Sequence, residues 1–364
     1  MSLHSLSSLP SLPSLSELTD RARVVTCPLR VPFRGVTERE IMLIEGPDGW
    51  VEWSPFLEYG PEEASRWLRS ALLLGWDAAS LRPAGSRVLP SVEVNATVPA
   101  VDVSADPDLV PALLDRYPGC TTVKVKVAQQ GQTLADDVAR VRAVREARPG
   151  IAVRVDANTG WSVDEAFAAA VALTDPSQGG GPLDYMEQPC ATVEELAELR
   201  RRLGSRGMMV RIAADELIRK ASDPLAVVQA GACDVAVLKT APLGGVDHVR
   251  AIAEEVGRYG VAVTVSSALE SAVGMYAGLL AVATLPGYED DDEMVVHPQA
   301  AGLATGSLYA EEVCAPRQIV DGRLAVEQCV PEDARLDALA SPAARCDWWF
   351  DRLAASYQVL AVTH

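Results

Sequence analysis

Five charged side chains recur along the chain at nearly even spacing, each at the end of a short, mostly apolar run. Lys126 closes Thr122-Val123-Lys124-Val125-Lys126, Asp156 closes Val153-Arg154-Val155-Asp156, and Glu187 closes Asp184-Tyr185-Met186-Glu187. Asp215 closes Ile212-Ala213-Ala214-Asp215, and Lys239 closes Val235-Ala236-Val237-Leu238-Lys239. The successive gaps are 30, 31, 28 and 24 residues. A strand–helix barrel of about 250 residues in eight units allots roughly 31 residues to each unit. The spacing therefore puts each charge one unit after the last, at the carboxyl end of its strand. In a barrel those ends share one mouth.

Three carboxylates from neighbouring strands repel one another, which raises their pKa values and costs stability unless a cation lies between them. An all-oxygen set without His or Cys selects a hard ion, Mg²⁺ first and Mn²⁺ second. Lys124 and Lys126 are two apart on a strand and share a face. Burial and a like charge both lower a lysine pKa, and a lysine so lowered suits a proton-abstracting base near neutral pH. Lys126 flanks the acidic trio on one side and Lys239 on the other. A substrate carboxylate on the ion would have its α-carbon between the two amines, and the divalent charge would stabilise the enediolate left by α-proton removal.

Each residue also has a plain structural reading. Lysines on an exposed edge strand discourage aggregation; Asp156 before Ala157-Asn158 fits a turn or helix cap; Glu187 fits a strand terminus. Asp215-Glu216 fits a cap, and Lys239 a snorkelling surface lysine. All five charges at one structural position favour the site. Around it, Glu216 is expected to hold Lys239 by an ion pair. Asn158 is expected to orient the trio or bind a metal-bound water. Ser266, Ser267 and Glu270, which close the seventh strand, either line the pocket or cap the next helix.

The elements that must position these groups change character along the chain. Residues 1–18 are Ser/Leu/Pro-rich, lack a basic start and an unbroken apolar core, and read as a mobile tail rather than a signal peptide. Residues 19–90 read as an α+β unit: strands at 24–25, 41–45 and 49–53, a turn at Gly46-Pro47-Asp48-Gly49, and a helix from Pro61 with Glu62 and Glu63 at its positive end. Pro32-Phe33-Arg34-Gly35 sits in the loop between the first two strands. From residue 91 strand and helix alternate, with strands at 92–95, 122–127, 151–156, 183–187, 210–215, 235–238 and 261–266 and Ala-rich helices between them. This predicts an α/β fold, a (β/α)7β TIM-like barrel over 91–306, with an open doubly wound sheet as the competitor. No G-x-G-x-x-G follows the first strand, so a dinucleotide site has no support. The eighth strand is weak: residues 284–302 contain the acidic run Glu289-Asp290-Asp291-Asp292-Glu293, expected as a solvated loop. Residues 307–364 return to mixed elements. The hairpin around Asp321-Gly322 and the Trp348-Trp349-Phe350 cluster are expected to pack back onto the N-terminal unit.

The composition narrows the function class. The chain has 364 residues, 49% of them hydrophobic, and a formal net charge of -18. That charge disfavours nucleic acid and anionic membrane surfaces as partners, while local lysines and a metal still admit a small anionic carboxylate. Seven scattered cysteines without C-x-x-C read as reduced thiols of a cytoplasmic protein.

Lys-Val-Lys, Asp-Ala-Asn, Glu-Gln-Pro, Ala-Asp-Glu and Leu-Lys, in this order and spacing, resemble the enolase superfamily, and Lys-x-Lys its muconate-lactonising subgroup. The resemblance runs from about residue 21 to about residue 330. It implies a capping domain, made from both chain ends, over the barrel. It implies Asp156, Glu187 and Asp215 as Mg²⁺ ligands, Lys126 and Lys239 as the acid/base pair, and Lys124 as the residue that tunes Lys126. Pro32-Phe33-Arg34-Gly35-Val36-Thr37-Glu38-Arg39 and Ser266-Ser267-Ala268-Leu269-Glu270-Ser271 resemble the actinobacterial branch that performs a syn dehydration in menaquinone biosynthesis. There Arg34 would meet a succinyl tail. Racemisation of N-succinylamino acids, dipeptide epimerisation and muconate lactonisation use the same kind of site, and a non-catalytic scaffold is the reading from another class.

Overall fold

The computed structural model describes residues 12–33, 35–82, 88–220, 223–285, 288–289, 295–296 and 299–363. Helix α1 (Leu15–Asp20) starts at Ser14, whose hydroxyl accepts from the Glu17 amide, and buries Leu18. Residues 12–18, expected as part of a tail over 1–18, belong to the fold, because Leu12, Leu15 and Leu18 pack into the main core. Residues 1–11 lie outside the described residues. An antiparallel meander follows, β1 (Ala22–Phe33), β2 (Val36–Gly46) and β3 (Gly49–Trp53), paired in that order. The first strand is far longer than the expected 24–25 and takes in Pro32 and Phe33, with an irregular register between Pro28 and Phe33. Gly35, at φ +76°, makes the turn to β2. Arg34 lies outside the described residues. Helix α2 (Pro61–Trp76) has Pro at its first turn and buries Trp67, Leu68, Ala71 and Leu72, as its periodicity predicts.

From residue 91 the elements are β4 (Ser91–Glu93), β5 (Ala96–Val98), α3 (Leu109–Leu114), β6 (Thr122–Lys126), α4 (Leu134–Ala147), β7 (Ala152–Asp156), α5 (Val163–Thr174) and β8 (Leu183–Glu187). Next come α6 (Val193–Ser205), β9 (Ile212–Ala214), α7 (Glu216–Arg219), α8 (Ala226–Gln229), β10 (Val235–Leu238), α9 (Val246–Gly257), β11 (Ala262–Val265) and α10 (Met275–Ala283). Strands β5 to β11 form one seven-stranded parallel sheet in sequential order. Helices α4, α5 and α6 each begin with a capping box, Thr133/Asp136, Ser162/Glu165 and Thr192/Glu195, so the sequence itself fixes where those helices start.

The first parallel strand is not 92–95, as expected, but Ala96–Val98. Residues 91–93 are already used: β4 pairs antiparallel with a late strand, Arg323–Ala325. The two sheet edges are joined through residues 300–302. The Ala301 amide donates to Glu93 O at 2.8 Å and the Asn95 amide to Ala301 O at 2.9 Å. On the other side the Gly302 amide donates to Val265 O at 2.8 Å and the Ser267 amide to Gly302 O at 3.0 Å. The weak eighth strand is thus the very end of the stretch 284–302. Upstream, β12 (Tyr288–Glu289) and β13 (Val295–Val296) pair with each other, so the backbone of Glu289, first of the acidic run, is in a short strand. Asp290 to Glu293 lie outside the described residues.

The late strand is β14 (Arg323–Ala325); α11 (Asp333–Ala338) and α12 (Ala343–Thr363) follow. The expected docking of the C-terminal region on the N-terminal unit holds for α12, which packs on α2. Trp349 meets Trp53 edge-on at 5.4 Å, and its Nε1 donates to Glu40 at 2.6 Å. The hairpin at Asp321-Gly322 goes elsewhere, onto β4, because β4 offers it free ladder positions. Among the described residues no helix is long and apolar enough to cross a membrane.

The joining segment is tight. A Cβ on Gly302 would meet Ser266 Oγ at 2.5 Å and its Cβ at 3.1 Å, whereas one on Gly204 in α6 meets nothing within 4 Å. Gly302→Ala is expected to lower stability by about 1–3 kcal/mol through overpacking. Gly204→Ala is expected to raise it by up to about 1 kcal/mol. Urea unfolding of both variants checks the contrast; equal effects would mean that 300–302 does not close the sheet tightly.

Candidate active site

Register decides which side chains meet. In the parallel ladder Lys126 stands opposite Asp156, and Asp156 opposite Glu187. Asp215 follows β9 directly, its amide held by Gln188 Oε1 at 2.9 Å, and Lys239 follows β10. The strand ends are also where the backbone departs from ordinary values. Ala128, Asn158, Thr159, Gln188 and Leu269, five of the six non-glycine positive-φ residues described, lie just after parallel strands. Such conformations cost of order 1–3 kcal/mol each and persist where surroundings enforce them, often at functional sites.

The charged groups form a chain of contacts. Lys124 Nζ donates to both Glu187 oxygens at 3.1 Å and lies 3.4 Å from Asp156 Oδ2. Lys126 Nζ is 2.5 Å from Asp156 Oδ2 and 2.7 Å from Asn158 Oδ1, and it sits 5.0 Å over the Phe33 ring. Lys239 Nζ donates to Asp215 Oδ2 at 2.6 Å, and Arg219 Nε donates to Asp215 Oδ1 at 3.2 Å. Asp156, Glu187 and Asp215 are each 0% exposed. Glu216 accepts from Arg219 at 2.9 Å and from Asn158 Nδ2 at 3.3 Å. Lys239, directly after the strand beside Asp215, thus pairs with Asp215.

The electrostatics correct one expectation. Burial alone would lower the Lys124 pKa, but Glu187 and then Asp156 outweigh it and hold the ammonium above its ordinary value. Carboxylates opposite the strand, not Lys126 beside it, dominate. Burial, followed by the charge of Asp156, pushes the Glu187 carboxyl up to about 7.

The expected trio around one ion also changes in detail. Among the described residues, no three carboxylate, imidazole or thiol groups are close enough to hold a metal ion as they stand. Ammonium groups span the carboxylates instead. The donor chemistry nonetheless fits a hard divalent cation. Three buried carboxylates converge from adjacent strand ends, and burial opposes the ionised form of Glu187.

Lys124, Lys126, Lys239, Ser266 and Ser267 line one small cavity of about 20 Å³. Phe33, Phe56, Thr97, Ala268, Leu269 and Thr305 complete its wall, and sequence reasoning missed them as site residues. Phe33 lay inside a flagged stretch, and the aromatic in Ser54-Pro55-Phe56 was a usable signal; Thr305 carried none. Ser267 Oγ is hydrogen-bonded to Thr305 Oγ1 at 2.6 Å. Glu270 does not line this cavity. Its Oε2 accepts from the Ala268 amide at 2.7 Å, so it shapes the loop from behind. Arg34 lies outside the described residues.

Comparison with known proteins gives the family. Residues 24–74 match the family described as enolase N-terminal domain-like, and residues 110–331 the one described as enolase C-terminal domain-like. The chain belongs to the enolase superfamily. It is 54% identical over 344 residues to an o-succinylbenzoate synthase of Mycobacterium marinum, covering 94% of this chain and 95% of the relative. It is 52% identical to the one of Mycolicibacterium smegmatis, covering 94% and 97%. The solved muconate lactonizing enzyme from Pseudomonas fluorescens, complexed with muconolactone, superposes with TM-score 0.69 at 21% identity, over 88% of this chain and 98% of that one. This last likeness is one of fold. The α/β architecture with a curled parallel sheet is thus that of the superfamily.

Burial, followed by the charge of Glu52, pushes the Glu270 carboxyl up from 4.5 to about 7. The folded state then holds this proton more tightly than the unfolded chain. Stability from this group is therefore lost as pH rises from about 4.5 to about 7, and the loss levels off above. Glu270→Gln does not titrate and keeps an acceptor for Ala268. The drop in melting temperature between pH 5 and pH 8 is expected to be smaller in the variant than in the parent; equal drops would contradict the assigned burial.

Proposed function

We propose that the chain catalyses the o-succinylbenzoate synthase reaction, the syn dehydration of 2-succinyl-6-hydroxy-2,4-cyclohexadiene-1-carboxylate to 2-succinylbenzoate in menaquinone biosynthesis. The observation that carries this reading is the 52–54% identity to proteins of that activity over 94% of the chain. We read the fold as a (β/α)7β barrel over 91–306, covered by a capping domain from 19–90 and 307–364. The junction through 300–302 and the packing of α12 on α2 support that division.

In this reading Asp156, Glu187 and Asp215 hold a divalent cation, Mg²⁺ by the hardness of the donor set. When bound, that cation supplies the charge that stabilises an enediolate. Its charge would take over the carboxylates that Lys124 and Lys126 pair with here. Lys126, as the free amine, takes the proton from the ring carbon bearing the carboxylate. Lys239, on the far flank, offers its ammonium to the enediolate. The C–O bond on the adjacent carbon breaks with its electron pair, hydroxide leaves, and the proton on Lys126 goes to it as water. The ring becomes aromatic and the amine is regenerated. Asn158, 2.7 Å from Lys126 Nζ, aims the amine. Phe33 beneath the same nitrogen keeps water away from it. Ser266 and Ser267 line the same cavity and would meet the substrate there. A small anionic carboxylate suits a cavity lined by three lysines, although the molecule as a whole carries -18.

Purified protein with Mg²⁺ is expected to dehydrate this substrate faster than N-succinylamino acids are racemised; the reverse preference would favour the racemase. Lys126→Ala is expected to lower kcat by about 10²–10⁴-fold. Lys239→Ala is also expected to lose most of the dehydration, and a near-normal rate would remove it from the mechanism. In calorimetry, Asp215→Asn is expected to bind Mg²⁺ at least tenfold more weakly than the parent, and equal affinity would remove Asp215 from the ligand set.

A further inference from the structure

Ligand pockets for small molecules are typically about 300–1,000 Å³. The cavity over the lysines is about 20 Å³. Its walls must part to admit a substituted ring, so whatever fastens those walls governs entry and enclosure. One wall is the turn at residues 55–59, which carries Phe56. Within the turn the Tyr59 amide donates to Phe56 O at 3.0 Å. Three of its five carbonyls are taken by one side chain from the far end of the chain. Arg352, on α12, donates to Pro55 O at 3.0 Å, Phe56 O at 2.7 Å and Tyr59 O at 2.9 Å.

Arg352 is itself held in place. It is 9% exposed, and its guanidinium lies 5.1 Å from the Trp349 ring, 5.2 Å from Trp348 and 5.9 Å from Trp53. A planar cation among aromatic faces, with its donors on carbonyls, is a geometry lysine does not reproduce. Burial lowers its pKa to about 10, which leaves it charged at neutral pH. The fastened turn reaches the acidic centre by a second route: the Tyr59 hydroxyl accepts from Arg219, and Arg219 donates to Asp215 at 3.2 Å.

We infer that Arg352 is a positioning residue: from the C-terminal helix it latches the turn at 55–59 over the lysine pair, and so sets how firmly bound substrate is enclosed. The inference rests on the proposed dehydration for its kinetic readout. Its structural readout, amide exchange in the substrate-free protein, is independent of that reading.

The test compares the parent, Arg352→Met, Arg352→Lys, Phe56→Ala and Leu353→Ala at 25 °C, where circular dichroism reports each as folded. Leu353 is fully buried in the core on the same helix, so its truncation loosens α12 without removing the latch. In Arg352→Met and Arg352→Lys the Tyr59 amide is expected to exchange at least tenfold faster. KM for the cyclohexadiene substrate is expected to rise at least tenfold, with kcat changed less than threefold. Adding Phe56→Ala to Arg352→Met is expected to raise KM no further, because the latch acts through that ring. The inference is overturned if exchange and KM stay at parental values in the arginine variants, if Leu353→Ala reproduces both changes, or if the two substitutions multiply. If Arg352→Met does not fold, Arg352→Lys decides alone. A parent protein without dehydration refutes the proposed function instead, and the exchange measurement then decides the latch.

Discussion

Everything at the mouth of the sheet answers to three carboxylates, each 0% exposed, on adjacent strand ends. Three buried negative charges side by side are untenable without compensation, since ionised groups out of water cost several kcal/mol each unless paired. The fold supplies compensation from nearby: Lys124 and Lys126 from one side, Lys239 and, from α7, Arg219 from the other. The ladder makes this possible. Parallel strands in register bring residues some 30 positions apart in sequence to neighbouring points in space, and alternation sends Lys124 and Lys126 to the same face. Charge balance and catalytic potential are thus one arrangement. The ammonium groups that neutralise the carboxylates here are those that a cation and a substrate would release for chemistry.

Much of this was legible in the sequence because it is local. Strand β8 and helix α4 have the boundaries that apolar periodicity and capping residues imply. The even recurrence of strand-end charges reports the repeating unit. What was not legible depends on distant partners. Residues 91–93 look like the first parallel strand by composition; only the presence of 323–325 draws them into another sheet and shifts the first parallel strand to 96–98. The eighth junction reduces to residues 300–302, too short for any periodicity to reveal. The pKa direction of Lys124 went the other way for the same reason. Neighbours along a strand are visible in the sequence, whereas the carboxylate across the ladder that dominates the field is not.

Site residues divide along the same line. The charges announce themselves by type and spacing, while Phe33, Phe56, Leu269 and Thr305 are ordinary residues that reach the cavity only through the tertiary fold. Ser266 and Ser267 meet the cavity as their position after β11 suggests, but Glu270, three residues on, turns away. In a loop, side-chain direction has no fixed period, so proximity in sequence does not carry over.

The loop after β11 shows how the chain ends impose that direction. Glu52 Oε2, from β3, accepts from the Ser271 amide at 2.9 Å and the Gly274 amide at 3.2 Å. Glu312, from the C-terminal segment, accepts from the Ala272 amide at 2.9 Å and 3.0 Å. Arg39 Nε and the Tyr309 hydroxyl donate to Leu269 O at 3.3 Å and 2.6 Å. Leu269 adopts φ +61°, which a branched residue keeps only when its surroundings enforce it. The parallel sheet fixes where the charged groups stand, since its residues sit on a rigid ladder. The shape of the space around those groups is set instead by buried polar groups reaching in from both ends of the chain. Substitutions in those ends can therefore reshape the cavity while leaving the charges at the strand ends untouched.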